Sequence, residues 1–474
     1  MRNKFFIKNM FFCNKTKNVF MLSAIFYQNN ILRKTHHKTL PVVLTIVVIS
    51  LLLTYQPQVQ PFLERSSLHG GVNRNTPDGL IFGRGWLEED GEIQVIHLQG
   101  SYYEMGYQHG SLLKQEVQEN VRAYISFSEK HGTSYDELLS IWNITKEYIP
   151  HEIIEEMQGI ADGSELSFEM IAAANIIPIK YHCCGVAAWN DATVDGKLYH
   201  ARSLDYPLDI RDPKTGRYLQ ENQIVIVREP NDGYASLYPA FAGFVGSVGG
   251  INENKIAIGQ SSSWSSDETY HGIPMTFRVK LVLDHAASVE EAIDIILSNT
   301  TCGHNFIISD GKIPVGFAVE TTANFSYVGT WNTSVEATHP CWIIDHVVRR
   351  TNFFVDPTTA ATQRKRYDPS SFLLWLFHKN YYFPFWWHYR VLSQEIEKHW
   401  GKLGLNSTMY MLRKVYLGRT DFFLFLARII GFLHTMHQWV ACPETGDILI
   451  SFADVGKNAF EKPVYHFNLF RLLD

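Results

Sequence analysis

Residues 181–205, Tyr-His-Cys-Cys-Gly-Val-Ala-Ala-Trp-Asn-Asp-Ala-Thr-Val-Asp-Gly-Lys-Leu-Tyr-His-Ala-Arg-Ser-Leu-Asp, constrain this chain more than any other stretch. They read as a β-hairpin. Residues 186–189 are a short apolar run and 197–201 a return strand. Asp195-Gly196 is the turn signal, because glycine takes positive φ without strain. The return brings Arg202 and Asp205 back towards the end that carries Cys183 and Cys184. A thiol beside a guanidinium is the electropositive setting in which a thiolate becomes available.

On either side of the hairpin the chain changes character. Before it, residues 93–98 alternate as a strand, and 104–131, 134–142, 151–161 and 167–175 have helical patterns, with Ser167 as a cap. After it, strands are expected at 223–228, 254–260, 305–309, 314–320, 439–440 and 447–452, and helices at 275–286 and 288–298. Strands in runs with segregated helices predict a layered α+β architecture. Hydrophobic residues make up 46% of the 474, enough for a large core, and the net charge of −6 offers no basic surface for nucleic acid. Other site signatures fail. Gly246-Ser247-Val248-Gly249 lacks nucleophile-elbow spacing. His151 to Glu155 is not a His-Glu-x-x-His zinc site. The glycines at 243, 246, 249 and 250 open no dinucleotide-binding helix. No metal and no cofactor is expected.

The amino-terminal part is asymmetric in charge. The first 63 residues contain no Asp or Glu, while Lys and Arg recur from Arg2 to Lys38. Residues 1–39 read as a basic cytosolic leader. Residues 40–55 are uncharged; a spanning helix needs about 17–25 residues, so 40–55 sit near the lower limit and read as a signal-anchor or signal sequence. A Pro/Gly/Asn-rich linker follows over 56–90. Everything after about Gln56 is expected in the lumen of the secretory pathway, membrane-anchored through 40–55. Sequons at Asn143, Asn299, Asn324, Asn332 and Asn406 agree with that side. The six cysteines, Cys13, Cys183, Cys184, Cys302, Cys341 and Cys442, are too few for a disulfide scaffold, although one or two bridges could form. Residues 371–390 are dense in aromatics and read either as packing or as a second membrane or acyl-chain contact.

The hairpin resembles the start of the catalytic chain in cysteine-type N-terminal-nucleophile hydrolases. It is most similar to the penicillin acyltransferase-like branch (acyl-CoA:6-aminopenicillanic-acid acyltransferase), which is related to acid ceramidase, N-acylethanolamine acid amidase and bile salt hydrolases. Gly100-Ser-Tyr-Tyr-Glu-Met-Gly-Tyr-Gln-His-Gly110, Gly250-Ile-Asn-Glu-Asn-Lys-Ile-Ala-Ile-Gly259 and Asn305-Phe-Ile-Ile-Ser-Asp-Gly311 resemble family segments in the same order. Where the family ends its hairpin Gly-Arg-Asn-x-Asp, this chain has Ala201-Arg202-Ser203-Leu204-Asp205. The resemblance implies a four-layer αββα fold with two antiparallel sheets face to face. It implies self-cleavage between His182 and Cys183, giving a mostly helical α chain from 91–182 and a catalytic β chain from 183–474. Cys183 is then the nucleophile, with Cys184 as the alternative, and its freed α-amine the base. By the same resemblance Arg202 and Asp205 frame the amine and thiolate. Asn305 is the candidate oxyanion donor, with 260–263 as a further source.

The function expected is a self-processing cysteine amidohydrolase. It would cleave linear amides of N-acyl lipids or N-acyl amino compounds through an acyl-enzyme. Acyl transfer or phospholipase B-like ester cleavage on the same fold is the alternative within that chemistry. A non-catalytic lumenal membrane binding protein is the alternative outside it.

Overall fold

A computed structural model describes residues 80–176, 182–364, 385–416 and 434–474 of this chain. All lie in one unit, Glu64–Asp474. The leader, the 40–55 segment and most of the aromatic stretch 371–390 lie outside the described residues. Among those described, no helix is long and apolar enough to cross a membrane.

Among the described residues, sixteen strands form two sheets. The larger contains β1 (Leu80–Phe82), β2 (Gly85–Asp90), β3 (Ile93–Gly100), β6 (Gln223–Pro230), β7 (Ser236–Phe241), β8 (Gly249–Asn252), β9 (Ile256–Ser262), β10 (His304–Asp310), β11 (Val315–Thr321) and β12 (Ser326–Gly329), in that order. The smaller has the order β13 (Val347–Arg350), β4 (His182–Asn190), β5 (Gly196–Asp205), β14 (Thr435–Cys442), β15 (Asp447–Phe452), β16 (Tyr465–Asn468). Among these described strands all pairings are antiparallel except β3 with β6. A parallel pair needs a long crossover. Here α1 (Tyr102–Leu112), α2 (Lys114–Lys130), α3 (Tyr135–Thr145), α4 (His151–Ser164) and α5 (Phe168–Asn175) lie within it, as does the β4–β5 hairpin.

The apolar run of β6 explains the layering. A strand buried on both faces reads as continuously hydrophobic. Ile224 and Ile226 join one core with Val117, Val121, Met157 and, from α6 (Met275–His285), Phe277. Val225 and Val227 face the other way, into a core shared with Trp439, Ile448 and Ile450 of the smaller sheet. The outer face of that sheet packs Val186, Ala188 and Val440 against α8 (Phe385–His399) and α9 (Leu405–Tyr416), which follow α7 (Val289–Leu297) in the chain. Helices, sheet, sheet and helices thus stack as the four-layer αββα form of an α+β fold.

The structure corrects several boundaries. The helix expected over 104–131 is two helices that break at Leu113, whose φ of −122° is not helical; its side chain is buried. The linker expected over 56–90 includes β1 and β2, with Trp86 stacked on His97 of β3. Strands β7, β8, β12, β13 and β16 had no expectation; β8, β12, β13 and β16 have only four residues each. Helices α1 and α4 touch backbone to backbone. A Cβ on Gly106 would lie 2.1 Å from the Glu156 carbonyl oxygen, and one on Gly159 would lie 2.2 Å from that of Tyr103.

That contact seats Glu156 in a buried group of four charges. Arg228 donates from Nη2 to Glu156 Oε2 at 2.9 Å and from Nη1 to Asp284. Lys280 Nζ reaches Glu156 Oε2 at 2.9 Å and Asp284 Oδ2 at 2.8 Å. The group ties α4, which precedes the hairpin, to β6 and α6, which follow it.

Candidate active site

Adjacent residues of a strand point to opposite faces, so the two cysteines have different surroundings. Cys183 and Gly185 face the larger sheet; a Cβ on Gly185 would sit 3.3 Å from Ile307. Cys184 faces α9. The register places Arg202 opposite Gly185, Leu204 opposite Cys183 and Asp205 opposite His182. The loop that sets this register spans residues 191–195, flanked by Asn190 and Gly196, both at positive φ.

Cys183 is fully buried. Arg202 donates from Nη2 to its sulfur at 3.4 Å, and Arg202 is itself held by Nε to the Gln260 carbonyl at 2.8 Å and by Nη2 to Gln260 Oε1 at 3.4 Å. Backbone N–H groups of Asp205 and Ser262 also bond to the sulfur. The Cys183 N–H donates to Asn352 Oδ1 at 2.9 Å, and Asn352 Nδ2 donates to the Ser262 carbonyl at 2.8 Å. Burial pushes the Cys183 thiol up to about 11; the Arg202 guanidinium opposes this and the Asp205 carboxylate adds to it.

Cys184 is engaged elsewhere. Its Sγ lies 3.2 Å from the Tyr416 hydroxyl, which donates its only proton to Asp205 Oδ2 at 2.9 Å. The Cys184 S–H is therefore the donor to Tyr416, and burial holds this thiol higher than that of Cys183. Asp205 also accepts from Thr435 Oγ1 at 3.0 Å and Ser203 Oγ at 3.2 Å. Its carboxylate lies with Cys184, while its backbone serves Cys183.

Burial raises Asp205 to about 7 from 3.8, despite its three hydroxyl donors and Arg202. Between those values the folded chain keeps a proton that the unfolded chain has lost, so stability falls as pH rises through the window. Asp205→Asn keeps an acceptor and removes the titration. The melting temperature of this variant relative to wild type should therefore rise between about pH 4 and pH 8. A difference independent of pH in thermal unfolding would contradict this assignment.

Asn305 stands on β10, opposite Ser261 of β9. It is fully buried, and both amide hydrogens go to backbone carbonyls, of Thr351 and Phe353, at 2.8 Å each. As placed, it braces the segment that presents Asn352 and has no hydrogen left for a reacting oxygen. Asn352, the Gln260 side chain and Tyr416 also belong to the site, without a marked signal in the sequence. The signal for Asn352 was slight: Thr351-Asn352 is a polar pair between Arg349-Arg350 and Phe353-Phe354.

Ser262, whose carbonyl accepts from Asn352, also lines a cavity of about 160 Å3. Tyr124, Phe241, Phe244 and Met275 supply apolar wall, and Ser262 and His304 its polar end. Tyr124 comes from α2, so residues before and after the hairpin both build it. Among the described residues no group of three or more His, Cys, Asp or Glu could hold a metal. Cys183, Cys184, Cys302, Cys341 and Cys442 are all free.

Four such layers, with a buried cysteine at the head of a strand in the smaller sheet, are similar to the arrangement of N-terminal-nucleophile hydrolases. The family model of acyl-coenzyme A:6-aminopenicillanic acid acyl-transferase matches residues 216–380. That stretch includes 250–259 and 305–311, so the resemblance to the penicillin acyltransferase-like family holds there too. Proteins dcd1B and dcd1A of Dictyostelium discoideum are 26% identical over 257 residues and 28% over 247, covering 48% and 45% of this chain. The chain spans about half the length of these curated relatives, 50% and 55%. Among solved structures, a Caenorhabditis elegans N-acylethanolamine-hydrolyzing acid amidase ortholog overlaps 60% of this chain and 99% of its own, at 16% identity and a TM-score of 0.36. Penicillin V acylase from Agrobacterium tumefaciens overlaps 61% of this chain and 86% of its own, at 12% identity and 0.36.

Proposed function

We propose that this chain is a self-processing cysteine amidohydrolase acting on N-acyl lipids or N-acyl amino compounds. One observation carries the reading. The backbone nitrogen of Cys183 lies on Asn352, its sulfur lies on Arg202 and the Ser262 N–H, and Ser262 in turn lines a largely apolar cavity. The Cys183 sulfur attacks the His182 carbonyl, and the acyl group moves from nitrogen to sulfur. Water then cleaves the thioester, leaving His182 a carboxylate and Cys183 a free α-amine. An α-amine has a pKa of about 7.7–8.0 in model peptides, so it can take the thiol proton near neutrality where the buried thiol alone cannot lose it.

In turnover the thiolate attacks the substrate amide carbonyl, and the α-ammonium protonates the departing amine. Water, deprotonated by the α-amine, then releases the acid. Arg202 stabilises the thiolate. The Ser262 N–H, already against the sulfur, is the donor best placed for the tetrahedral oxygen. The cavity receives the acyl group. Capture of the thioester by an amine in place of water is the second reading, favoured by the acyl-transferase model that matches 216–380. Release of fatty acid from a panel of N-acyl amides, with and without an added amine, separates the two. No turnover of any amide or ester, with an intact His182–Cys183 bond, favours a non-catalytic binding protein.

We place residues after about Gln56 in the lumen of the secretory pathway, anchored through 40–55. The sequon asparagines Asn143, Asn299, Asn324, Asn332 and Asn406 are all exposed, which suits glycosylation. Endoglycosidase should lower the apparent mass of protein expressed in a eukaryotic secretory system. An unchanged mass would remove this assignment.

A further inference from the structure

A second line of polar contacts runs from the Cys183 sulfur to the cavity wall. Arg202 Nη2 touches both the sulfur and Gln260 Oε1. Gln260 Nε2 lies 2.9 Å from His304 Nδ1, and His304 Nε2 lies 3.1 Å from Cys302 Sγ. Gln260 and His304 are buried, and His304 and Cys302 both line the cavity. Ser262, whose N–H reaches the Cys183 sulfur, pairs across the sheet with His304.

The polarity of this chain is fixed from one end. A guanidinium only donates, so the carbonyl oxygen of the Gln260 amide must face Arg202. The amide nitrogen then faces His304, whose Nδ1 must accept. His304 is accordingly neutral, with its proton on Nε2, and donates to the Cys302 sulfur. Protonating Nδ1 would set two donors against each other and turn the Gln260 amide away from Arg202. Burial and the nearby Arg278 oppose that protonation.

We propose that His304 is a positioning residue: by accepting from Gln260 it holds the Arg202 guanidinium against the Cys183 sulfur, and, as part of the cavity wall, it couples that guanidinium to the acyl group bound there. This rests on Cys183 as the nucleophile. The required property of His304 is an acceptor facing Gln260 with a donor facing Cys302. Glutamine can supply both and leucine neither.

The test measures alkylation of Cys183 by iodoacetamide as a function of pH, by quantitative mass spectrometry of the peptide containing it, on full-length wild type, His304→Leu and His304→Gln. Loss of a positioned charge raises a neighbouring thiol by about one unit or more, so His304→Leu should label roughly 10-fold more slowly at pH 8, with its profile displaced to higher pH. His304→Gln should recover most of the difference. Equal displacement in both variants would mean that His304 only fills space, and coincident profiles for His304→Leu and wild type would mean that it does nothing to Cys183; either overturns the proposal. A Cys183 that resists the reagent at every pH in wild type overturns it too. The readout needs no substrate. A displaced profile in a protein that hydrolyses no amide would sink the proposed function and the coupling to a bound acyl group, and leave standing only the hold of His304 on Arg202.

Discussion

Under the proposed function, Cys183→Ala should give a folded chain that is neither cut after His182 nor active. The substitution removes the one atom used in both steps, so turnover should fall by roughly 10^4-fold or more. The site has little else that changes: Asn352 keeps the backbone nitrogen and Gln260 keeps Arg202. Cys184→Ser is the matching control. A hydroxyl at that position can still donate to Tyr416, so processing and most activity should persist. Gel analysis of processing and release of fatty acid from N-acyl amides read both. Normal cutting and turnover by Cys183→Ala, with both lost in Cys184→Ala, would move the nucleophile to Cys184.

Arg228→Met should lower stability by about 3–5 kcal/mol, because removing one partner of a buried charge group leaves the others uncompensated. Lys280 alone would remain against Glu156 and Asp284, all three buried. Arg228 is the strongest influence holding the Asp284 carboxyl below its ordinary range. Urea unfolding measures the loss, and a change below about 1 kcal/mol would show that the group is screened as at a surface. The same group holds α4 to β6 and α6. Together with the parallel β3–β6 pairing, it should keep the two fragments associated after a cut at His182.

The hairpin was legible because its residues carry local signals: an apolar run, a glycine at positive φ, and a return strand of known period. The same local signals placed most of the helices. The order of strands was not legible. The β3–β6 pair joins residues far apart in sequence, and nothing within either strand names its partner. Four-residue strands such as β8 and β13 are too short to show a period. At the site, Cys183 and Arg202 share one hairpin and so appear together in the sequence. Asn352 reaches Cys183 from a loop after β13, and Tyr416 reaches Asp205 from the end of α9. Both act through hydrogen bonds that cross the fold, which leaves no spacing to read. Asn305 was singled out because it opens an apolar strand, and the structure shows it bracing the loop that carries Asn352.

The central claim is that Cys183 becomes an amino terminus. Intact mass and amino-terminal sequencing of the purified, natively expressed protein test it most directly. The account predicts two co-purifying fragments, the carboxy-terminal one beginning Cys-Cys-Gly-Val at residue 183. A single uncut chain, or a fragment beginning Cys-Gly-Val at residue 184, would contradict it.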